Sequence, residues 1–112
     1  MNAIVMTEEY WANSQFSIAR YYGQIQIENH LYVIVNKEGK DIFECSRDAE
    51  KEGREKAIEP GEPADLCRKD FIPIYRKLGR ERFLKFIKDN PDVFTVKQAK
   101  ERLKNATPSK DL

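Results

Sequence analysis

The sequence predicts an α+β fold, a three-stranded antiparallel β-meander packed with N-terminal and C-terminal helices. Strand-like runs separated by turn clusters fill residues 24–45, and apolar residues recur at helical spacing across 70–104. The third observation is size. At 112 residues the chain suits one domain and can bury a core without a disulfide or a structural metal.

The meander begins with Gln24-Ile25-Gln26-Ile27, where polar and apolar residues alternate as in a half-buried strand. Glu28, Asn29 and His30 form a turn cluster, and Leu31 to Val35 is β-branched and aromatic enough for a second strand. After a turn containing Gly39, residues 41–45 are expected to be the third strand.

Upstream, residues 14–22 read as a short helix capped by Ser14 and ended by Gly23, or as part of a long strand bulged at Gly23. Thr7 is a candidate start for a helical turn carrying Tyr10 and Trp11. Downstream, Ser46 is a candidate N-cap for a polar surface helix over 47–57, which Gly53 weakens. The Pro60 to Pro63 segment is a rigid turn between the two halves.

Asp70 is a candidate cap for a helix with Pro73 in its first turn and Leu78 at its end. Gly79 interrupts it, and residues 80–89 form a second helix with Phe83, Phe86 and Ile87 on its buried stripe. Asn90 and Pro91 stop that helix. Thr95 and Gln98 fit a capping box for a last helix to about residue 104 with Val96, Ala99 and Leu103 on one face. Residues 1–104 thus form one domain and 105–112 a fraying tail.

Composition narrows the function classes. Cys45 and Cys67 fit no metal-ligand spacing and read as two separate thiols, so no metal or cofactor site is predicted. No apolar run has the length of a membrane helix, and the N-terminus lacks the features of a signal peptide, so a cytoplasmic protein without membrane contact is expected. No phosphate-loop, dinucleotide, nucleophile-elbow or zinc-protease motif occurs. The single histidine, His30, has no neighbouring nucleophile. The pairs Glu8/Glu9, Glu50/Glu52 and Glu59/Glu62 lie in solvated stretches, unlike the desolvated carboxylates that glycoside hydrolysis requires. No catalytic residue is assigned.

Two features bear on binding. Tyr10, Trp11, Tyr21 and Tyr22, with Phe16, either pack over the sheet or form an exposed anchor patch for a partner protein. Charge is also divided along the chain. Residues 1–67 hold seven Lys/Arg against thirteen Asp/Glu, and residues 68–104 hold twelve against five. Complementary halves of this kind suit neutralisation within a monomer or across a homodimer. On the basic helices Arg80, Lys85, Lys88, Lys97, Lys100 and Lys104 are candidate nucleic-acid contacts, arranged as the start of a helix-turn-helix without a third, reading helix.

Residues 13–23 (NSQFSIARYYG), 35–45 (VNKEGKDIFEC), 57–66 (AIEPGEPADL) and 70–83 (DFIPIYRKLGRERF) resemble small proteins of bacterial conjugative elements and modules attached to polyvalent proteins of phages and plasmids. The resemblance implies a setting in bacterial mobile DNA. It supplies no catalytic motif and so no functional residue. A non-enzymatic protein–protein interaction or accessory module is the leading expectation, with nucleic-acid binding through the basic helices as the alternative.

Overall fold

The apolar run in the first half of the chain becomes the inner part of the longest strand. In the computed structural model, which describes residues 4–7, 19, 21–58 and 62–106, strand β3 spans His30–Asn36 and is buried from Tyr32 onward. Its neighbours are β2 (Gln24–Ile27) and β4 (Ala64–Arg68), and β1 (Val5–Thr7) pairs with the far side of β4. The result is a four-stranded antiparallel sheet in the order β1-β4-β3-β2. The α+β class holds, with one strand more than the sequence suggests.

The β2–β3 hairpin pairs Ile27 with His30 and Ile25 with Tyr32, so His30, expected in the turn, is the first residue of β3. Glu28 and Asn29 both take positive φ, 47° and 70°, the two-residue turn whose twist matches the strands it joins. The third strand is different. The chain turns back on β3 after Gly39, but pairing stops at a single Val35–Asp41 bridge. Helix α1 (Ile42–Glu52) begins there instead of a strand over 41–45.

The cause is a capping box. The Asp41 carboxylate accepts the Glu44 N–H at 2.8 Å, and the Glu44 carboxylate accepts the Asp41 N–H at 3.3 Å. Cys45 and Ala49, four residues apart, then place one buried stripe on the sheet. Gly53, with φ of 74°, ends the helix, so α1 occupies 42–52 and the expected polar helix over 47–57 is displaced toward the N-terminus. Ser46 lies inside it. The meander's third strand is β4, and Thr7 belongs to β1 instead of starting a helix.

Beyond β4 a single 3-10 turn (Lys69–Phe71) leads into α2 (Ile72–Leu78), with Pro73 in its first turn. Asp70 makes no cap; it binds Arg68. Gly79 separates α2 from α3 (Arg80–Asp89), and α4 (Val96–Ala106) starts at the predicted capping box. There the Thr95 hydroxyl accepts the Gln98 N–H at 3.1 Å and the Gln98 carbonyl accepts the Thr95 N–H at 3.0 Å. Of the predicted tail, residues 107–112 lie outside the described residues.

Both faces of the sheet are buried. Val33, Val35 and Cys67 meet Phe71, Tyr75, Phe83 and Ile87 on the side of α2–α4. Tyr32, Ile34 and Leu66 meet Cys45, Ile58 and Ala19 on the side of α1. Alternation along β3 sends odd residues to one core and even residues to the other, which explains why the strand reads as continuously apolar.

Candidate interaction surface

Ala19, Tyr21 and Tyr22 are helical, and Gly23 closes this turn with its N–H on the Ala19 carbonyl at 2.7 Å. That agrees with the helical reading of residues 14–22 at its C-terminal end; residues 14–18 and 20 lie outside the described residues. Gly23 sits at φ 88°, and a Cβ there would drive into Ile42 Cγ2. Glycine is therefore required twice, for its backbone angle and for close passage over α1.

This crossing builds an aromatic surface. Tyr21 is 82% exposed, Tyr22 66% and Phe43, at the start of α1, 63%. The two tyrosine rings meet edge to face with centroids 4.9 Å apart. The Phe43 ring reaches the site a Gly23 side chain would occupy, at 3.9 Å, so it borders the backbone next to Tyr22. The strand that follows, β2, is at the sheet's edge, with Gln24 and Gln26 exposed. Among the described residues no strand pairs with its outer side.

Tyr10 and Trp11, the other two predicted partner-binding residues, lie outside the described residues, as does Phe16. Phe43 falls in the segment expected as the third strand and so is no sequence candidate for the surface. The sequence does contain the signal, an Asp-x-x-Glu capping pattern that starts the helix at Ile42 and turns Phe43 away from the Cys45/Ala49 stripe.

The basic candidates are dispersed. Arg80 directs its guanidinium inward, onto Asp65. Lys85 binds Asp89 at 2.8 Å one turn on, a bond that raises the ammonium pKa. Lys88 is exposed on α3, and Lys97, Lys100 and Lys104 are exposed on α4. Between these helices Arg102 grips Asp92 through both Nη atoms, at 2.7 and 2.5 Å, which lowers the Asp92 carboxyl pKa.

The strongest buried polar cluster was not legible in advance. Asp65 is fully buried in β4 and receives the Tyr75 hydroxyl at 2.5 Å, Arg80 Nε at 2.8 Å and Arg80 Nη2 at 3.1 Å. Burial, reinforced by Asp65, raises the Tyr75 pKa. An open depression of about 720 Å³ lies outside, bordered by Lys37, Pro63, Gly79 and Arg80. Arg80 reaches it, while the Asp65 carboxylate and the Tyr75 ring stay sealed beneath. Asp65 thereby ties β4 to α2 and α3.

Arg68, 4% exposed, makes a second tie. It donates through Nε and Nη2 to Asp70 at 3.0 and 2.6 Å and through Nη1 to the Phe94 carbonyl at 2.9 Å. Its guanidinium lies 5.0 Å from the ring centres of both Phe71 and Phe94. His30 packs edge to face on Phe94 at 5.5 Å. Cys45 and Cys67 are separate buried thiols, and burial pushes the Cys45 pKa up to about 11. Among the described residues no three His, Cys, Asp or Glu side chains converge as metal ligands. Nor is any helix long and apolar enough to cross a membrane.

Fold and surface together define an α+β domain with a helix-flanked four-stranded antiparallel sheet and an exposed aromatic edge. The chain matches no protein-family model, and no curated protein or solved structure shows significant similarity to it.

Proposed function

We propose that this chain is a non-enzymatic protein-binding module that docks its partner on Tyr21, Tyr22 and Phe43, beside the edge of β2. The observation that supports this reading is the exposure of three large aromatic side chains at one crossing of the chain. Leaving such rings in water forgoes the stabilisation that burial gives, and aromatic residues dominate the energetics of protein interfaces. Among the described residues no strand covers the outer side of the adjacent β2 edge, which suits strand addition, with Gln24 and Gln26 beside it. The resemblance to proteins of bacterial mobile elements suggests where such a partner is to be sought.

A photoreactive phenylalanine analogue at Tyr22 tests the reading in cells producing the chain. Irradiation is expected to give discrete adducts with one protein, and these should disappear when Tyr21→Ser and Phe43→Ser are added. The same probe at Arg82, exposed on α3, serves as the comparison. Equal adducts at both positions, or adducts indifferent to the serine substitutions, would overturn the proposal.

A second reading, nucleic-acid binding, draws on the exposed row Lys97, Lys100 and Lys104 along α4. It is weaker because Arg80 and Lys85 already spend their charge on Asp65 and Asp89. Phosphate contacts would show as affinity falling steeply with salt, and Lys97→Ala with Lys100→Ala would flatten that slope. Binding that is independent of salt, or unchanged by the substitutions, removes this reading.

A further inference from the structure

On the opposite side of the sheet from the aromatic surface, α2 and α4 enclose a groove of about 450 Å³. Its floor is apolar, formed by Pro73, Ile74 and Leu78 of α2 and Leu103 of α4. Three lysines border it, Lys77 from one helix and Lys100 and Lys104 from the other, all exposed. Among the described residues no carboxylate lines it. An apolar channel edged by three lysines is complementary to a molecule with a hydrocarbon tail and an anionic head.

Size decides between possible occupants. A standard protein interface draws on about 20–30 residues a side. This groove is framed by one face of α2, whose seven residues span about 10 Å, and by a single turn of α4. Its volume falls in the range of about 300–1,000 Å³ typical of small-molecule sites. The lysine stems add apolar walls while their ammonium groups remain in water at the rim.

We propose that the α2–α4 groove binds a free single-chain anionic amphiphile, with the alkyl tail on Ile74, Leu78 and Leu103 and the carboxylate head among Lys77, Lys100 and Lys104. The site lies apart from the aromatic surface and does not depend on the protein-binding reading.

Methyl NMR on the full chain tests this with three probes below their micelle concentrations: decanoate, decyltrimethylammonium and acetate. Decanoate is expected to shift the Ile74, Leu78 and Leu103 methyls saturably. Decyltrimethylammonium, with the same tail and opposite charge, should bind at least tenfold more weakly, and acetate should shift nothing. Lys77→Gln, Lys100→Gln and Lys104→Gln together, all at exposed positions that leave the core intact, should erase the advantage of decanoate. Leu103→Gln should weaken both tailed probes. Equal affinity for the two, an unchanged lysine variant, or equal shifts at Ile25 and Ile42 on the other core would overturn the assignment. So would sedimentation with anionic vesicles in the absence of decanoate binding.

Discussion

Arg80 grips Asp65 through two nitrogens across 15 positions of sequence, with Nε to Oδ2 at 2.8 Å and Nη2 to Oδ1 at 3.1 Å. Asp65 is fully buried, while the Arg80 side chain retains 27% exposure, so the pair is desolvated mainly on the acidic side. A carboxylate in this position needs its donors more than they need it. Replacing Arg80 with Met is expected to cost about 2–4 kcal/mol, since it removes two of the three donors to a buried carboxylate and leaves the Tyr75 hydroxyl. Tyr75→Phe should cost about 1–3 kcal/mol. Because both donors share one carboxylate, the double variant should depart from additivity by about 0.5–3 kcal/mol. Urea unfolding of the four proteins measures the cycle, and strict additivity would show that the donors act independently.

The start of α1 depends on Asp41 in a similar way, through a bond to backbone. Asp41→Ala removes the acceptor of the Glu44 N–H, while the backbone N–H of residue 41 is still there for the Glu44 carboxylate to accept. A loss of about 1 kcal/mol is expected. Glu44 also receives Arg76 Nη2 at 2.5 Å, so the cap couples α1 to α2. Glu44→Gln can still accept both bonds and should cost less than Asp41→Ala. Urea midpoints for the two variants, at unchanged slope, give the comparison.

These two sites show what could and could not be read in advance. Strand β3, the β2–β3 turn, the Gly79 break and the Thr95–Gln98 cap follow from local chemistry, and all appear where the residues place them. Asp41 carried two local signals, a turn exit onto Ile42 and Phe43 and a helix cap with Glu44, and the cap prevailed because Cys45 and Ala49 could then be buried on the sheet. β4 has no strand signal of its own because its second residue is an aspartate, which alone argues against a buried strand. Its burial is made possible only by Tyr75 and Arg80, 10 and 15 positions away. β1 is three residues long and gains its stability from pairing with β4. At the candidate site, Tyr21 and Tyr22 stand out in the sequence as part of an aromatic cluster ahead of the first strand, but whether they face a core or solvent depends on the Gly23 crossing over Ile42.

That crossing makes a separate prediction. Gly23→Ala must adopt φ 88° and displace Ile42, so it is expected to destabilise by well over the ~1 kcal/mol that a helix-interior glycine exchange involves. It should also shift the NMR signals of Tyr22 and Phe43, the rings on either side. Gly53, at φ 74° with open space around it, controls for backbone angle alone. If Gly53→Ala is as destabilising as Gly23→Ala, close packing on Ile42 contributes nothing.

Arg68 should tolerate no cation but arginine. Lysine keeps the charge but loses the fork onto Asp70, the bond to the Phe94 carbonyl and the flat face between two rings. Arg68→Lys is expected to destabilise by about 2 kcal/mol, through lost charge-assisted hydrogen bonds and stacking. It should also loosen the Phe94 segment ahead of α4, seen as faster amide exchange at Phe94 and Thr95. Exchange there at the wild-type rate would mean that the segment is held by other contacts.

Alkaline pH should weaken the fold through groups that are neutral when buried. Burial raises the pKa of Cys45 to about 11 from an ordinary 9.0, and it also raises those of Cys67, Tyr32 and Tyr75. In the unfolded chain each thiol releases its proton near pH 9, while the folded chain holds it. Unfolding therefore releases protons in this window, and rising pH favours the unfolded state. The stabilisation is complete below pH 9 and is lost as pH climbs, with the tyrosines adding to the slope above pH 10. Thermal melts from pH 7 to 11 should show the midpoint falling beyond pH 9, and Cys45→Ala should reduce that slope even if its stability at pH 7 is lower. A midpoint that is flat to pH 10.5, or a slope unaltered by removing the thiol, would mean that Cys45 titrates alike in both states.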